Sequence, residues 1–267
     1  MLSVLAHAVR RRRIGLIGWS LGLLGTVALL AVAYPTVRGN HELDRTFAGL
    51  SPGVRQLLGL ADGGGLTSPV GYLNSQFFAN LLPVMLLVFA IGAASWSIAG
   101  DEAAGTLELL LANPVSRVRV AYARLVALVA LLAVLTVVSG AGLVAMAPAT
   151  GLTTGLTWPH LIAATVAGAL MALSYATVAF VVGAATGSRP LALGVASTLA
   201  VLGYLVEGLA AAVPALRPVR SVTPWHWLID SDPLRHGLTW QAWLLPLAVA
   251  VVLGALGAAL FARRDLR

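Results

Sequence analysis

Two groups of residues in this sequence have the types and spacing that chemistry uses. The first is the stretch GDEAAGTLELLLANPVSR over residues 100–117, which sets Asp101, Glu102 and Glu108 ahead of Arg117. The second gathers His226, Asp230, Asp232 and His236, side chains that can in principle hold a cation. A hydrated, capped loop is the preferred reading of that second group, and no metal site is expected. ATP hydrolysis on a P-loop needs a lysine at the phosphates, and this chain has no lysine. No HExxH pair and no nucleophile elbow is read. The lack of cysteine removes thiol catalysis, disulfides and cysteine metal sites. No catalytic residue is expected, and the chain reads as a non-enzyme.

The elements that position these residues are set by composition. The 267 residues are 59% hydrophobic and 10% charged, against about 25% charged in an ordinary globular domain. So few charges cannot cover a water-soluble fold of this length, whereas apolar runs of 20 or more residues account for the deficit as membrane spans. Six such runs lie at about 14–34, 77–99, 125–147, 161–186, 191–213 and 241–262. Backbone in hydrocarbon must satisfy its own hydrogen bonds, so these are expected to be helices; the alternation of a membrane barrel is absent. The expected fold is therefore all-α and integral to the membrane, one transmembrane domain over 1–267.

The net charge of +7 comes from arginine alone. The arginines cluster at span ends, which points to topology and not to nucleic acid. With the N-terminus inside, the cytoplasmic face holds Arg10 to Arg13, Arg117, Arg119, Arg124, Arg189, Arg263, Arg264 and Arg267. The outside holds Arg38, Arg45, Arg55, Arg217, Arg220 and Arg235. The positive-inside rule selects this orientation and puts both termini in the cytoplasm. The run after Arg13 is too long for a secretory signal core despite Ala31-Val32-Ala33. Leu2, Leu5 and Val9 predict a separate interfacial helix over 1–13.

Outside, Asn40 and Ser51-Pro52 predict two short helices over 41–61. A hinge is expected at Gly63-Gly64-Gly65, and Thr223-Pro224 starts another short helix. Inside, Asp101 suits the N-cap of an amphipathic helix over about 101–113. Its stripe is Leu107, Leu110 and Leu111, and Pro114 stops it. This helix is expected to lie along the membrane with its acids toward the cytosol. Glu207 is the one ionisable residue within a span; a carboxylate at the bilayer centre costs about 2.5–3.5 kcal/mol. Its place near the outer end leaves two readings open, a gate or substrate contact and an interfacial anchor that water or Arg217 reaches. Ser174, Tyr175 and Thr177 stand among the few polar groups available to line a path.

The stretch 102–117 resembles the cytoplasmic signature of the type-2 ABC exporter permeases, the ABC-2 family. The matching residues are Glu102, Gly105-Thr106-Leu107-Glu108, Leu109-Leu110-Leu111 and Pro114-Val115-Ser116-Arg117. Pro224-Trp225-His226-Trp227 is similar to the family's Pro-aromatic-His stretch, with Trp225 where Phe is commoner. The resemblance implies that 101–113 is a coupling helix seated on a separate ATPase dimer, which carries ATP and Mg; this chain itself carries no cofactor. It implies polar contacts to that ATPase from Glu102, Glu108 and Arg117, and a second contact at Gly187-Ser188-Arg189-Pro190. It further implies a second permease copy or relative in the lipid membrane, with spans one, two and five at the seam; the absence of lysine points to an arginine-biased bacterial genome and so to a bacterial cytoplasmic membrane. Glu207, Trp225 and His226 are candidate gate or substrate contacts. The function implied is outward movement of a lipophilic or amphipathic drug, antibiotic or lipid; the alternative is a mechanical transmitter acting on a periplasmic partner.

Overall fold

The computed structural model describes residues 2–58, 60, 65–107, 115–152 and 154–264, with the side chains of 2–12, 41, 52, 56 and 57 left aside. All regular structure among these residues is helical. Six helices are long and apolar enough to cross a membrane: Arg13–Val37, Pro69–Ala103, Arg117–Thr150, Trp158–Thr186, Arg189–Leu209 and Trp240–Arg263. They are named here the first to sixth spans. Glu102, Arg117, Ala184, Gly187 and Arg264 meet at one end of the bundle, the tail end. Among the described residues, those between the first and second, third and fourth, and fifth and sixth spans lie at the other, the loop end.

Several boundaries differ from the hydropathy reading, each for a local reason. The second span begins at Pro69, because Ser68 caps it by accepting from Gly71 N–H at 3.1 Å, with Pro69 in the first turn. The third begins at Arg117, because Ser116 accepts from Arg119 N–H at 3.3 Å; the arginine-bearing turns are helical although they are not apolar. The fifth ends at Leu209, where the chain turns, although apolar residues continue to Val213. No separate helix over 1–13 forms: one helix runs from Leu2 to Val37 through Arg10 to Arg13. Arginine is a good helix former, and no proline or glycine stands before Gly15 to break the run.

The loop-end helices follow their caps. Asn40 Oδ1 accepts from Glu42 and Leu43 N–H at 3.2 and 3.4 Å to start His41–Ala48. Thr223 Oγ1 accepts from His226 N–H at 3.2 Å to start Pro224–Ile229. Pro52–Leu57 is the other expected helix; of the expected glycine hinge, Gly63 and Gly64 lie outside the described residues.

The fourth span is the hub. Its most apolar stretch is 72% buried, against 22% for the first span. It packs along the second, fifth and sixth spans, while the first span leans mainly on the third. Association in lipid depends on close backbone approach, which small residues allow. A Cβ on Gly257 of the sixth span would stand 2.8 Å from the Phe180 ring and 3.3 Å from Val181 Cα. One on Gly183 would sit 3.5 Å from Ala99 Cβ and 3.6 Å from Ala192 Cβ, at the crossing of three spans.

The second span is not a uniform α-helix. It widens into π turns at Asn74–Leu81 and Trp96–Gly100, either side of Leu82–Ser95. Such turns recur at functional positions. At the second of them a Cβ on Gly100 would lie 2.1 Å from the Trp96 ring, so glycine is required for the indole to lie over the backbone.

Gly257→Ala is expected to lower the unfolding temperature of the purified protein, because overpacking costs about 1–3 kcal/mol. That exceeds the ~0.5–1 kcal/mol alanine gains over glycine in a helix. Gly140→Ala, with nothing within 4 Å of the new Cβ, should leave stability equal or higher. Thermal unfolding followed by tryptophan fluorescence compares the two.

Candidate functional site

At the tail end the sequence places acids where the second span leaves the bundle. Asp101 continues that span and is buried at 5% exposure. Its Oδ2 stands 2.5 Å from Arg124 Nη2 on the third span. This corrects the expectation of a helix-capping acid turned to the cytosol: a carboxylate at that depth is stable only when paired, and Arg124 is the nearby cation. Glu102 is likewise engaged within the chain, accepting from Arg264 Nη2. Arg264 Nη1 donates to Ala184 O at 3.2 Å, and its carbonyl accepts from Arg117 Nη1. Thr106 Oγ1 donates to Asp101 O at 3.1 Å.

The expected helix over 101–113 is not continuous. Asp101–Ala103 is helical, Gly105 takes φ +67°, and helical backbone resumes at Thr106 and Leu107. A positive φ is the conformation glycine adopts without strain. Leu107, expected on a stripe facing a partner, is 1% exposed and belongs to the bundle's own apolar core. Glu108, Leu110, Leu111 and Pro114 lie outside the described residues. Arg189, in the short turn between the fourth and fifth spans, lays its guanidinium 4.2 Å from the centre of the Trp96 ring, a cation–π contact. The structure thus joins Asp101, Glu102, Thr106 and Arg117 into one cluster and reaches Arg189 through Trp96. It adds Arg124, Arg264 and Trp96, which sequence reasoning had assigned no contact.

At the loop end Glu207 is fully buried. Both its oxygens are held by Arg220: Nε donates to Oε2 and Nη2 to Oε1, each at 2.9 Å. The cation is Arg220 and not Arg217; Arg217 is exposed. His226 Nδ1 lies 3.3 Å from Glu207 Oε2, and Asp230 Oδ1 lies 3.7 Å from Arg220 Nη2. A forked guanidinium matched to a carboxylate is the strongest protein ion-pair geometry. Trp225, 2% exposed, donates from Nε1 to Ala200 O at 2.9 Å and meets the Tyr204 ring edge-to-face at 5.0 Å.

Beneath Trp225, between the second and fifth spans, lies a groove of about 340 Å³. Val84, Val88 and Val201 expose apolar surface to it. Its polar groups are Asn80, Ser197 and Tyr204, and Tyr204 OH donates to Asn80 Oδ1 at 3.2 Å. Ser174, Tyr175 and Thr177 are buried in the fourth span instead, with Ser174 donating to Leu170 O and Thr177 to Ser174 O; they are not among the residues that line this groove. Among the described residues no group of three or more His, Asp or Glu side chains is placed to hold a metal. The string Gly18-Trp19-Ser20-Leu21-Gly22 spells the spacing of a serine nucleophile elbow, but it sits inside the first spanning helix with no strand before it.

Six apolar helices with paired charges at both ends define a polytopic α-helical membrane protein. A family model described as ABC-2 family transporter protein matches residues 23–266, and no curated protein matches the chain. The chain belongs to the ABC-2 transporter family. It is a membrane permease component of an ABC transporter, a class that associates with an ABC ATPase component and is generally non-catalytic itself.

Glu207→Ala is expected to destabilise the protein by about 3 kcal/mol, because it strands a largely buried guanidinium. Glu207→Ala with Arg220→Ala should recover part of that loss. A double-mutant cycle on thermal unfolding measures the coupling; strictly additive losses would mean the pair does not hold the loop end.

Proposed function

We propose that this permease moves a lipophilic or amphipathic substrate, such as a drug, an antibiotic or a lipid, outward across a bacterial cytoplasmic membrane. ATP with Mg is hydrolysed on a separate ATPase dimer seated at the tail end. The observation that carries the reading is the groove between the second and fifth spans. It is apolar, edged by Asn80, Ser197 and Tyr204, roofed by Trp225 at the loop end and open sideways. Pockets that take apolar ligands combine such a lining with a few polar groups that fix orientation. No charged side chain lines it, which disfavours a strongly charged cargo.

Orientation follows from charge. The tail end carries Arg117, Arg119, Arg124, Arg189, Arg263 and Arg264 at span ends, the cytoplasmic pattern. A cytoplasmic ATPase would meet Glu108 and the turn at Arg189 there. A second copy of this chain, or a relative, would close the open side of the groove along the apolar faces of the first, second and fifth spans. Glu207 acts as an anchor in this reading: Arg220 occupies both of its oxygens, so it holds the roof helix Pro224–Ile229 in place while the groove is closed. Release would swing Trp225 away from Ala200 and Tyr204.

Vesicles holding the permease and its ATPase test the reading. ATP is expected to drive a lipophilic dye across the bilayer. Ser197→Trp, which fills the groove, should slow initial transport at least about tenfold, equal to about 1.4 kcal/mol of barrier. ATP turnover with no movement of any dye or lipid would instead favour a mechanical transmitter working on an outside partner. An unchanged rate in Ser197→Trp would remove the groove from the path.

A further inference from the structure

The tail end brings together three segments that are far apart in sequence. They are the stretch leaving the second span at Glu102, the turn that ends the fourth span at Gly187, and Arg264 beyond the sixth span. Arg264 touches the other two at once. One arm of its guanidinium meets the Glu102 carboxylate, 162 residues away, and the other donates to Ala184 O at 3.2 Å. Ala184 lies in the last turn of its helix, where carbonyls have no intrahelical partner, so Arg264 completes that helix end. Its own carbonyl takes the Arg117 side chain at the start of the third span.

Gly187 makes the space. It takes φ +69°, and a Cβ there would lie 2.8 Å from Arg264 Nη1, from Arg264 Nη2 and from Glu102 Oε2. The turn between the fourth and fifth spans is therefore shaped around this ion pair. Gly183 and Gly187 have the spacing of a helix-packing pair, but only Gly183 packs between helices; Gly187 is the seat of the knot.

We infer that Arg264 is a positioning residue for ATP-driven movement: it binds the exit of the second span at Glu102, the fourth–fifth turn and the sixth span into one unit. A displacement imposed where the second span exits then reaches the central fourth span without slack. The inference rests on the reading that the tail end docks the ATPase. The side chains of Arg264 and Glu102 are 17% and 18% exposed, so the pair is mostly buried and breaking it costs stability as well. Loss of the guanidinium also unties Glu102 and the end of the fourth span from the sixth span, while the Arg264 carbonyl keeps its Arg117 contact; dye moved per ATP reads that loss of positioning apart from stability. Lysine does not replace Arg264, because one ammonium lacks the planar fork that spans Glu102 and Ala184.

The test uses the reconstituted permease–ATPase complex and reads three quantities: ATPase recovered with the permease, dye moved per ATP hydrolysed, and unfolding temperature of the permease alone. Arg264→Ala should recover the ATPase at wild-type yield and unfold at a lower temperature than wild type, since it strands the Glu102 carboxylate. Dye moved per ATP should fall about tenfold, within the usual range of coupling between sites. Arg264→Lys should fall nearly as far. Arg264→Ala combined with Glu102→Gln should be no worse than Arg264→Ala alone. Wild-type dye per ATP in Arg264→Ala, or losses that multiply in the double variant, would overturn the proposal while leaving the docking reading intact. If Arg264→Ala is not recovered folded, Arg264→Gln carries the same comparison. Failure of the wild-type permease to recover any ATPase would instead sink the docking reading, and the proposal with it.

Discussion

A charge or backbone group that enters hydrocarbon must find its partner inside the protein, and this constraint organises the whole chain. Glu207 is at 0% exposure and is held by a two-pronged guanidinium. Asp101 is at 5% and meets Arg124. In each case the pair does more than neutralise a charge. It ties a connecting segment to a particular span: the 217–229 stretch to the fifth, and the exit of the second to the third. These paired charges are thus fastenings, placed at the two ends of the bundle.

Between those ends, packing depends on small residues. Water supplies no drive for helices to associate in lipid, so contact area must come from close approach. Gly257 against Phe180 and Gly183 against Ala99 and Ala192 let the fourth span lie against three neighbours. The first and fifth spans keep large exposed apolar faces, with Leu21, Leu29, Val201 and Leu205 outward. The molecule therefore divides into a buried hub and a less buried flank. The groove falls at the boundary, between the second span of the hub and the fifth span of the flank, and the first π turn of the second span supplies its Asn80.

The features legible from sequence are those decided locally. Six apolar runs gave six spanning helices, and Asn40, Thr223 and Pro52 marked helix starts, because a cap depends on residues two or three positions away. Membership of the ABC-2 family was legible in 102–117. What failed depended on distant contact or on a single dihedral angle. Asp101 was read as a cap because its neighbours are acidic and helical; Arg124, on the next span, draws it inward. Leu107 was placed on an outward stripe by helical spacing, but the turn at Gly105 breaks that spacing and sends Leu107 into the core. Arg217 was chosen for Glu207 by proximity in sequence, whereas the short helix Arg217–Arg220 turns Arg220 toward the fifth span. Arg264 was counted only as a topological charge, since nothing near it in sequence points to Glu102.

Power is taken to enter at the tail end, through the segment that begins at Asp101. The chain has no native cysteine, so a single cysteine at position 108 is a clean probe of that premise. With the ATPase present, a short cross-linker from position 108 is expected to capture the ATPase subunit from the cytoplasmic side, with a yield that changes between nucleotide-free and ATP-bound states. Labelling of position 108 by an impermeant thiol reagent added outside intact cells, with no ATPase captured, would contradict the account.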